Sequence, residues 1–257
     1  WIINNEIDVI FFNEQRYWKP VILAKKLGLC IGSYIDYYKE ETVRAYSIYD
    51  FLICNTKRHY SVFDLHPNCY YIPWGTDIHV FKPQRLQKKT LTFLISAGWE
   101  GKYSGDRRGS LLAMEAFTKV KCECKLLVYS QVKYADCPLS WRNLVEYDKR
   151  IEFIEGTHDP FPYNKGDIYV YPSRLDGIGL SVPEALSCGV PVIATNNPPM
   201  NEFVFDGVNG RLVDVSLFIA RSDGYFWPQS ICNLDSLVSA MQSYVNRPDL
   251  ATTQGHA

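Results

Sequence analysis

The stretch from residue 167 to residue 204, DIYVYPSRLDGIGLSVPEALSCGVPVIATNNPPMNEFV, most constrains what this chain can fold into. An apolar strand, Asp167 to Tyr171, precedes a polar turn that carries two glycines, Pro172 to Leu180. The pattern then predicts a helix from about Ser181 to Cys188 and a second apolar strand from Val190 to Ala194. Strand, glycine turn, helix and strand form a βαβ unit, in which the strands pair in parallel. The turn therefore lies at the carboxyl end of a strand, where such units bind ligands.

Apolar strands and helices alternate along most of the remaining chain, which predicts the α/β class with doubly wound parallel sheets. A polar, basic stretch without periodicity, residues 82–90, separates two such series. We therefore expect two Rossmann-like domains: a partial one with a linker in residues 1–83, and a complete one in residues 84–257. Residues 216–231 carry no clear pattern, and we expect the polar end of the chain to fray.

The composition excludes some classes of function. The formal net charge of −1 argues against a general polyanion-binding surface, so no nucleic-acid partner is expected. Eight cysteines are scattered without a CxxC pair, which predicts buried, reduced thiols and a cytoplasmic location. Neither the histidine spacing nor any DxD sequence indicates a metal site. Because the chain starts at Trp1 and a predicted strand follows almost at once, we expect residue 1 to be internal to a longer natural protein.

Two glycines in the turn, Gly177 and Gly179, allow positive φ and a close approach of the backbone to a ligand. The exposed amides at the start of the following helix carry about half a positive charge between them. Together these features suit a phosphate group or the hydroxyls of a polar ligand. The same pattern also fits a tight strand-to-helix turn that binds nothing, so both interpretations stay open at this point.

Two carboxylates, Asp176 and Glu184, bracket the glycines with seven residues between them. A helix that starts near Ser181 places Glu184 in its first turn, where a carboxylate can accept two hydrogen bonds from a ribose diol. Asp176 lies on the turn itself and can bind sugar hydroxyls. Glu184 also fits an ordinary partner of the helix dipole. An acid/base pair for glycoside hydrolysis is disfavoured, because such a pair does not normally lie on one Rossmann turn.

A pair of arginines, Arg107 and Arg108, stands just before the predicted helix that begins at Ser110. This position follows the first strand of the second series. A guanidinium and the amides of a helix start can clamp a diphosphate, and each charge-assisted hydrogen bond contributes about 1.5–3 kcal/mol. The pair also fits a solvated surface.

Residues 171–189, YPSRLDGIGLSVPEALSCG, resemble the signature of retaining glycosyltransferase family 4 of the GT-B fold, also called glycosyl transferases group 1. They carry a Pro-Ser step, the spacing of two acids around a glycine turn, and Glu-Ala followed by Cys-Gly. IPWGTD, at residues 72–77, is similar to the interdomain segment of that family, and Arg108-Gly109 stands where the family has Lys-Gly. The resemblance covers residues 69–250 well and residues 1–68 weakly.

The resemblance implies a metal-independent, retaining transferase that moves a sugar from a nucleotide-diphosphate sugar to a glycan, lipid-linked or other acceptor, without a further cofactor. It implies two catalytic candidates: Asp176, which would hold the sugar, and Arg108, which would stabilise the leaving diphosphate. Glu184 would hold the donor ribose. The other implied donor-binding residues lie on the same turns or on the link between the domains: Gly177, Ile178, Gly179, Leu180, Ser173, Arg107, Gly98 and Gly75. Asp36 and Tyr37 are the acceptor-side candidates.

Three departures from the family pattern matter. Asp176 replaces a glutamate, Gly98-Trp99 replaces Gly-Arg, and the acceptor-side domain lacks its first half. Two alternatives therefore stay open: a non-catalytic nucleotide-sugar-binding module of the GT-B type, and a GT-B sugar-nucleotide epimerase. The Asp-x7-Glu turn and the IPWGTD segment argue against the epimerase. The expected partners are a nucleotide sugar and an unidentified acceptor, while peripheral contact with the inner membrane surface and the oligomeric state stay open.

Overall fold

The computed structural model describes residues 2–13, 17–84, 88–100 and 106–256. The chain forms two compact units. The first unit contains residues 1–75 together with Ala220–Pro228, and the second contains Thr76–Ile219 and Gln229–Ala257. The sequence had suggested a division after residue 83, and it gave no sign that residues 220–228 fold with the first unit.

The first unit contains a parallel sheet of four strands in the order β1-β2-β3-β4. The strands are β1 Val9–Asn13, β2 Cys30–Ile35, β3 Phe51–Cys54 and β4 Cys69–Tyr71. The connecting helices are α1 Trp18–Lys26, α2 Glu40–Val43 and α3 Lys57–Phe63, with 3-10 turns at Ile3–Asn5 and Arg44–Ile48. Thr56 begins α3 because its hydroxyl accepts a hydrogen bond of 3.1 Å from the backbone N–H of His59.

The second unit contains a parallel sheet of six strands in the order β10-β9-β8-β5-β6-β7. The strands are β5 Leu91–Gly98, β6 Cys124–Ser130, β7 Ile151–Glu155, β8 Ile168–Tyr171, β9 Val192–Thr195 and β10 Gly210–Val213. The helices are α4 Ser110–Lys119, α5 Leu139–Tyr147, α6 Ser181–Ser187, α7 Leu234–Asn246 and α8 Asp249–Gly255. Short 3-10 turns lie at Tyr134–Asp136, Tyr163–Lys165 and Met200–Glu202. The prediction of an α/β fold with parallel sheets is confirmed.

The strand order of the second sheet reverses between β5 and β8. From β5 the chain adds β6 and β7 on one side, and from β8 it adds β9 and β10 on the other. The central strands β5, β8 and β9 are mostly apolar and buried. Helices α4 and α7 cover one face of the sheet through side chains such as Met114, Phe117 and Met241. The carboxyl ends of β5 and β8 therefore open into a crevice at the reversal, which is the usual ligand position in such sheets.

Two segments differ from the sequence-based expectation. Residues 216–231, which showed no pattern, include an antiparallel hairpin of β11 Val215–Ile219 and β12 Gln229–Cys232. The end of the chain, expected to fray, forms α8 instead. Its Gln254 is buried and accepts a hydrogen bond from the hydroxyl of Tyr244 on α7. This contact joins a polar residue to a helix that precedes it, so the local sequence does not show it.

The expectation of reduced thiols is wrong for one pair of cysteines. Cys122 and Cys124, between α4 and the start of β6, form a disulfide with a Cα–Cα distance of 5.5 Å. The six other cysteines are free. Among the residues that the structure describes, no helix has the length and apolar character needed to cross a membrane.

Packing of α8 is testable with one glycine. A Cβ on Gly255 would lie 2.1 Å from the carbonyl oxygen of Gly189, so Gly255→Ala forces the helix away from its neighbour. We expect a loss of about 1–3 kcal/mol in the free energy of unfolding, the usual cost of overpacking. Gly75→Ala is the matched control, because a Cβ there meets no atom within 4 Å. Urea denaturation measures both; equal midpoints for the two variants would contradict the packing of α8.

Candidate functional site

The candidate site lies in the second unit at the reversal of strand order. β5 ends at Gly98 and β8 ends at Tyr171, so the loops that follow these two neighbouring strands meet there. The loop after β8 is the glycine turn predicted from the sequence, and the described part of the loop after β5 leads into α4. Most of the predicted residues are therefore brought together by topology.

Two glycines allow the loops to approach each other closely. Gly179 has φ +78° and ends the turn just before α6, and Gly109 has φ +74° just before α4. A Cβ on Gly109 would lie 2.2 Å from the carbonyl oxygen of Pro172. Only a residue without a side chain therefore fits there, and it brings the start of α4 against the turn.

Asp176 is the most strongly held carboxylate of the site. Its Oδ2 accepts hydrogen bonds from the hydroxyl of Tyr171 and, at 3.3 Å, from Nη1 of Arg107. Its Oδ1 accepts a bond of 3.0 Å from the backbone N–H of Gly179. Burial alone would raise the pKa of this carboxyl, but Arg107 and the two other donors outweigh it and hold the pKa below its usual value. Asp176 is therefore ionised at neutral pH.

Glu184 lies in the first turn of α6, as the sequence predicts. Its Oε2 accepts a hydrogen bond of 2.7 Å from the hydroxyl of Tyr163. Partial burial raises the pKa of Glu184, while Tyr163 and the charge of Arg108 act in the opposite direction. The carboxyl is only half-buried, so it can still reach a ligand in the crevice.

Arg108 supplies the positive charge of the site. Its Nη1 donates to the carbonyl oxygen of Ser96 at 3.3 Å and to the Ser96 hydroxyl at 3.1 Å. A Cβ on Gly98 would lie 3.5 Å from the guanidinium carbon of Arg108, so the side chain of Arg108 lies against Gly98. Burial lowers the pKa of Arg108. The hydroxyls of Tyr171 and Tyr169 and the carboxylate of Asp176 outweigh this effect, so the pKa lies above its usual value. The guanidinium is therefore a permanent, half-buried cation.

A cavity of about 130 Å³ opens beside Arg108 at the carboxyl ends of β5, β6 and β7. Its lining is mostly polar and includes Ser96, Gly98, Arg108, Ser130, Gln131 and His158. The cavity is small compared with whole ligand sites of about 300–1,000 Å³. It can hold one part of a larger ligand that extends along the crevice.

The remaining turn residues mainly hold the backbone. Ser173 is fully buried, and its hydroxyl donates to the carbonyl oxygen of Leu175 at 3.2 Å. Arg107 donates to the same carbonyl oxygen at 2.7 Å as well as to Asp176. The other members of the predicted set stand on the turn with partial or full burial: Gly177, Ile178, Gly179 and Leu180. Among them, the backbone amide of Gly179 donates to Asp176.

Three predicted residues lie in the first unit. Asp36 and Tyr37 follow the carboxyl end of β2, and Gly75 is the last residue before the second unit begins. The Asp36 carboxylate is 3.9 Å from Nε2 of His59, and the ring of Tyr37 stacks on Tyr225 at 5.2 Å. Residues 220–228 thus build part of this edge, which sequence reasoning did not foresee.

The sequence also missed three residues in the second unit: Glu100, Tyr163 and Tyr171. Glu100 follows β5, and its buried carboxylate accepts hydrogen bonds from the backbone N–H of Arg108 and, at 3.0 Å, from the Ser110 hydroxyl. It thereby ties the segment just before α4 and the first residue of that helix to the end of β5. A tyrosine in an apolar strand usually indicates core, so the sequence carried no signal for hydroxyls that contact the carboxylates.

Part of the chain is similar to a known protein family. Residues 96–221 match the family described as glycosyl transferases group 1. The mannosyltransferase LpsB of Rhizobium meliloti, of lipopolysaccharide core biosynthesis, is 33% identical over 109 residues, 42% of this chain and 27% of LpsB. Sucrose synthase 6 of Arabidopsis thaliana is 35% identical over 72 residues, 23% of this chain and 8% of that protein. The chain thus spans well under half the length of these curated relatives.

Solved glycosyltransferases share the fold over almost the whole chain. A glycosyltransferase from Rickettsia africae superposes with a TM-score of 0.79 at 15% identity, over 99% of this chain and 71% of that one. HepE of Anabaena, solved in complex with UDP and glucose, superposes with a TM-score of 0.71 at 14% identity, over 98% of this chain and 72% of that one. At such identities the likeness establishes the fold alone.

The buried carboxyl of Glu100 should make stability depend on pH. Burial raises its pKa from 4.5 to about 7, so its contribution is fully present below about pH 4.5 and is lost as the pH rises through about 7. We expect Glu100→Gln to lack this dependence. The free energy of unfolding of the parent minus that of the variant should fall by on the order of 1–3 kcal/mol from about pH 5 to about pH 8. Urea denaturation at both pH values measures this difference in the free energy of unfolding. A difference that is the same at both pH values would contradict the raised pKa of Glu100.

Proposed function

We propose that this protein is a retaining, metal-independent glycosyltransferase that moves a sugar from a nucleotide-diphosphate sugar to an acceptor. One observation carries the proposal: the half-buried cation Arg108 acts on two carboxylates, Asp176 and Glu184, in the part of the chain that matches the glycosyl transferases group 1 family. A diphosphate requires a cation, and the ribose and the sugar require hydrogen-bond acceptors. The site holds one group suited to each part of such a donor.

Arg108 would stabilise the diphosphate as it leaves. When the bond between the sugar and the diphosphate breaks, negative charge develops on the phosphate oxygen. A guanidinium fixed by Ser96 is already oriented and needs no rearrangement at that moment, which makes its electrostatic effect large. This fixed cation supports a reaction that proceeds without a bound metal ion.

The two carboxylates would bind hydroxyls rather than carry out acid/base chemistry. Glu184 is half-buried in the first turn of α6, and its remaining oxygen suits the vicinal diol of a ribose. Asp176 is already ionised and hydrogen-bonded, so it suits a hydroxyl of the transferred sugar. The amide of Ile178 is proposed to contact the sugar as well, whereas the amide of Gly179 contributes by holding Asp176.

The other parts of the proposal concern stereochemistry, acceptor and location. Retention at the anomeric carbon follows from the resemblance of residues 171–189 to the family 4 signature. Asp36 and Tyr37 are proposed acceptor-side residues because they follow a strand at the carboxyl edge of the first sheet. A cytoplasmic location is part of the same proposal. HepE of Anabaena was solved with UDP and glucose, which makes UDP sugars the first donors to test.

A nucleotide screen tests the donor. One of UDP, GDP, ADP and TDP should raise the melting temperature in the presence of EDTA, because a ligand that binds only the folded state stabilises it. Glu184→Ala should weaken that nucleotide by about tenfold or more, as expected for a lost hydrogen bond to a charged group. Glu146→Ala, an exposed glutamate on α5, is the matched control. Nucleotide affinity that is equal in both variants would contradict the ribose assignment.

Turnover tests the role of Arg108. Arg108→Met keeps the approximate volume but removes the charge, and we expect the rate of sugar transfer to fall by about 10²–10³-fold, the range for loss of one stabilising donor. Arg247→Met, which breaks only the exposed pair with Asp249, should leave the rate unchanged. Urea midpoints separate misfolding from a catalytic effect. A folded Arg108→Met protein with the parental rate would contradict the proposal.

A further inference from the structure

Three buried tyrosines stand together behind the carboxylates of the site. Tyr169 and Tyr171 point the same way from β8, and Tyr163 comes from the 3-10 turn that precedes this strand. The ring of Tyr169 lies 5.2 Å from that of Tyr163 and 5.7 Å from that of Tyr171, between centroids. All three are at most 2% exposed. The rings therefore fix one another in position.

The hydroxyls at the two ends of this row contact different carboxylates. Tyr163 donates to Oε2 of Glu184 at 2.7 Å, and Tyr171 donates to Oδ2 of Asp176. Burial raises the pKa of both tyrosines, so both stay protonated and act as donors at neutral pH. A carboxylate that accepts a bond from a rigid donor loses rotational freedom and presents its other acceptor positions in a fixed direction.

We propose that Tyr163 and Tyr171 are positioning residues that act on separate parts of the donor: Tyr163 orients Glu184 for the nucleotide, and Tyr171 orients Asp176 for the transferred sugar. The inference rests on the proposed function, because it assigns the two carboxylates to those two parts. Its basis is geometric. Each hydroxyl contacts one carboxylate, and the ring of Tyr169 stands between them.

Tyr171 also determines how Asp176 can recognise a sugar. A carboxylate has about four acceptor positions. At least three are occupied by the hydroxyl of Tyr171, the guanidinium of Arg107 and the amide of Gly179. These contacts fix the direction in which Asp176 presents its oxygens to a sugar hydroxyl. A carboxylate held in a fixed direction distinguishes sugars whose hydroxyl differs at one carbon, and loss of Tyr171 loosens the carboxylate and weakens this distinction.

The test compares Tyr163→Phe and Tyr171→Phe with a matched control, Tyr244→Phe. Tyr244 is also fully buried in the second unit, and its hydroxyl donates to Gln254, away from the crevice. The full chain is titrated with UDP, and its turnover is measured with UDP-glucose and UDP-galactose. Melting temperatures report the structural cost of each lost hydroxyl. If a nucleotide other than UDP gives the largest rise in melting temperature, its glucosyl and galactosyl derivatives replace these probes.

We expect the two tyrosine variants to change different measured quantities. Tyr163→Phe should raise the dissociation constant of UDP by about tenfold, a typical effect of a lost hydrogen bond to a charged group. Tyr171→Phe should leave that constant within about twofold but lower kcat/KM for the better sugar by about tenfold, and reduce the preference between the two sugars. Tyr244→Phe should change the melting temperature alone.

A pH profile adds a readout that a purely structural role would not change. Asp176 must be ionised, and its pKa is held low by Arg107, Tyr171 and Gly179 in spite of its burial. Phenylalanine at position 171 removes one of these donors, so the pKa of Asp176 rises. The loss of kcat/KM on acidification should then begin at a higher pH in Tyr171→Phe and at the parental pH in Tyr244→Phe.

Two results would overturn the inference, provided that the parent protein binds nucleotide and transfers sugar. In the first, Tyr163→Phe and Tyr171→Phe both behave like Tyr244→Phe. In the second, both variants alter the affinity for UDP equally. A parent that binds no nucleotide diphosphate is a different outcome. It refutes the proposed function itself, and the assignment of the tyrosines falls with it.

Discussion

Burial of charge at the reversal of strand order is the constraint on which the rest of the site depends. An ion removed from water is costly unless charges and hydrogen bonds compensate it. Arg108 is compensated by Ser96, by nearby tyrosine hydroxyls and by Asp176, and Asp176 by donors of its own. Glu100 and Glu184 are exceptions, since burial raises the pKa of both carboxyls, that of Glu100 to about 7. The polar groups around the crevice are thus fixed before any ligand arrives, which suits electrostatic stabilisation of a leaving group.

The fold of the second unit is largely readable from the sequence because its strands are buried on both faces. Such strands are continuous apolar runs, as in β5 and β8, and glycines mark the turns between them. The hairpin of β11 and β12 escaped prediction because the outer residues of β11, Leu217 to Ile219, are apolar yet exposed. Helix α8 escaped because a contact across two helices, from Tyr244 to Gln254, stabilises it. Neither feature can be recognised from a short stretch of sequence.

The candidate site was readable only in part. Its acids and arginines stand out because they flank glycines at predicted strand-to-helix turns. The tyrosines behind them do not stand out, since β8 reads as an apolar strand whether or not its hydroxyls contact a carboxylate. The role of Arg107 was also hidden. Its position suggested a phosphate ligand, whereas in the structure its Nη1 bonds to Leu175 and Asp176 within the turn. Pairings of this kind depend on side-chain reach across loops.

Residues 220–228 bear on how this chain can be divided or recombined. They follow β11 of the second unit but fold with the first, where Tyr225 donates to the carbonyl oxygen of Asp36 and Trp227 donates to the hydroxyl of Tyr38. The backbone therefore passes between the units three times. Exchange of one half for that of a relative at a single cut near residue 75 would separate these aromatic side chains from the residues they pack against. The two units therefore cannot be exchanged separately by one cut, and a chimera that folds has to keep residues 220–228 together with the first unit.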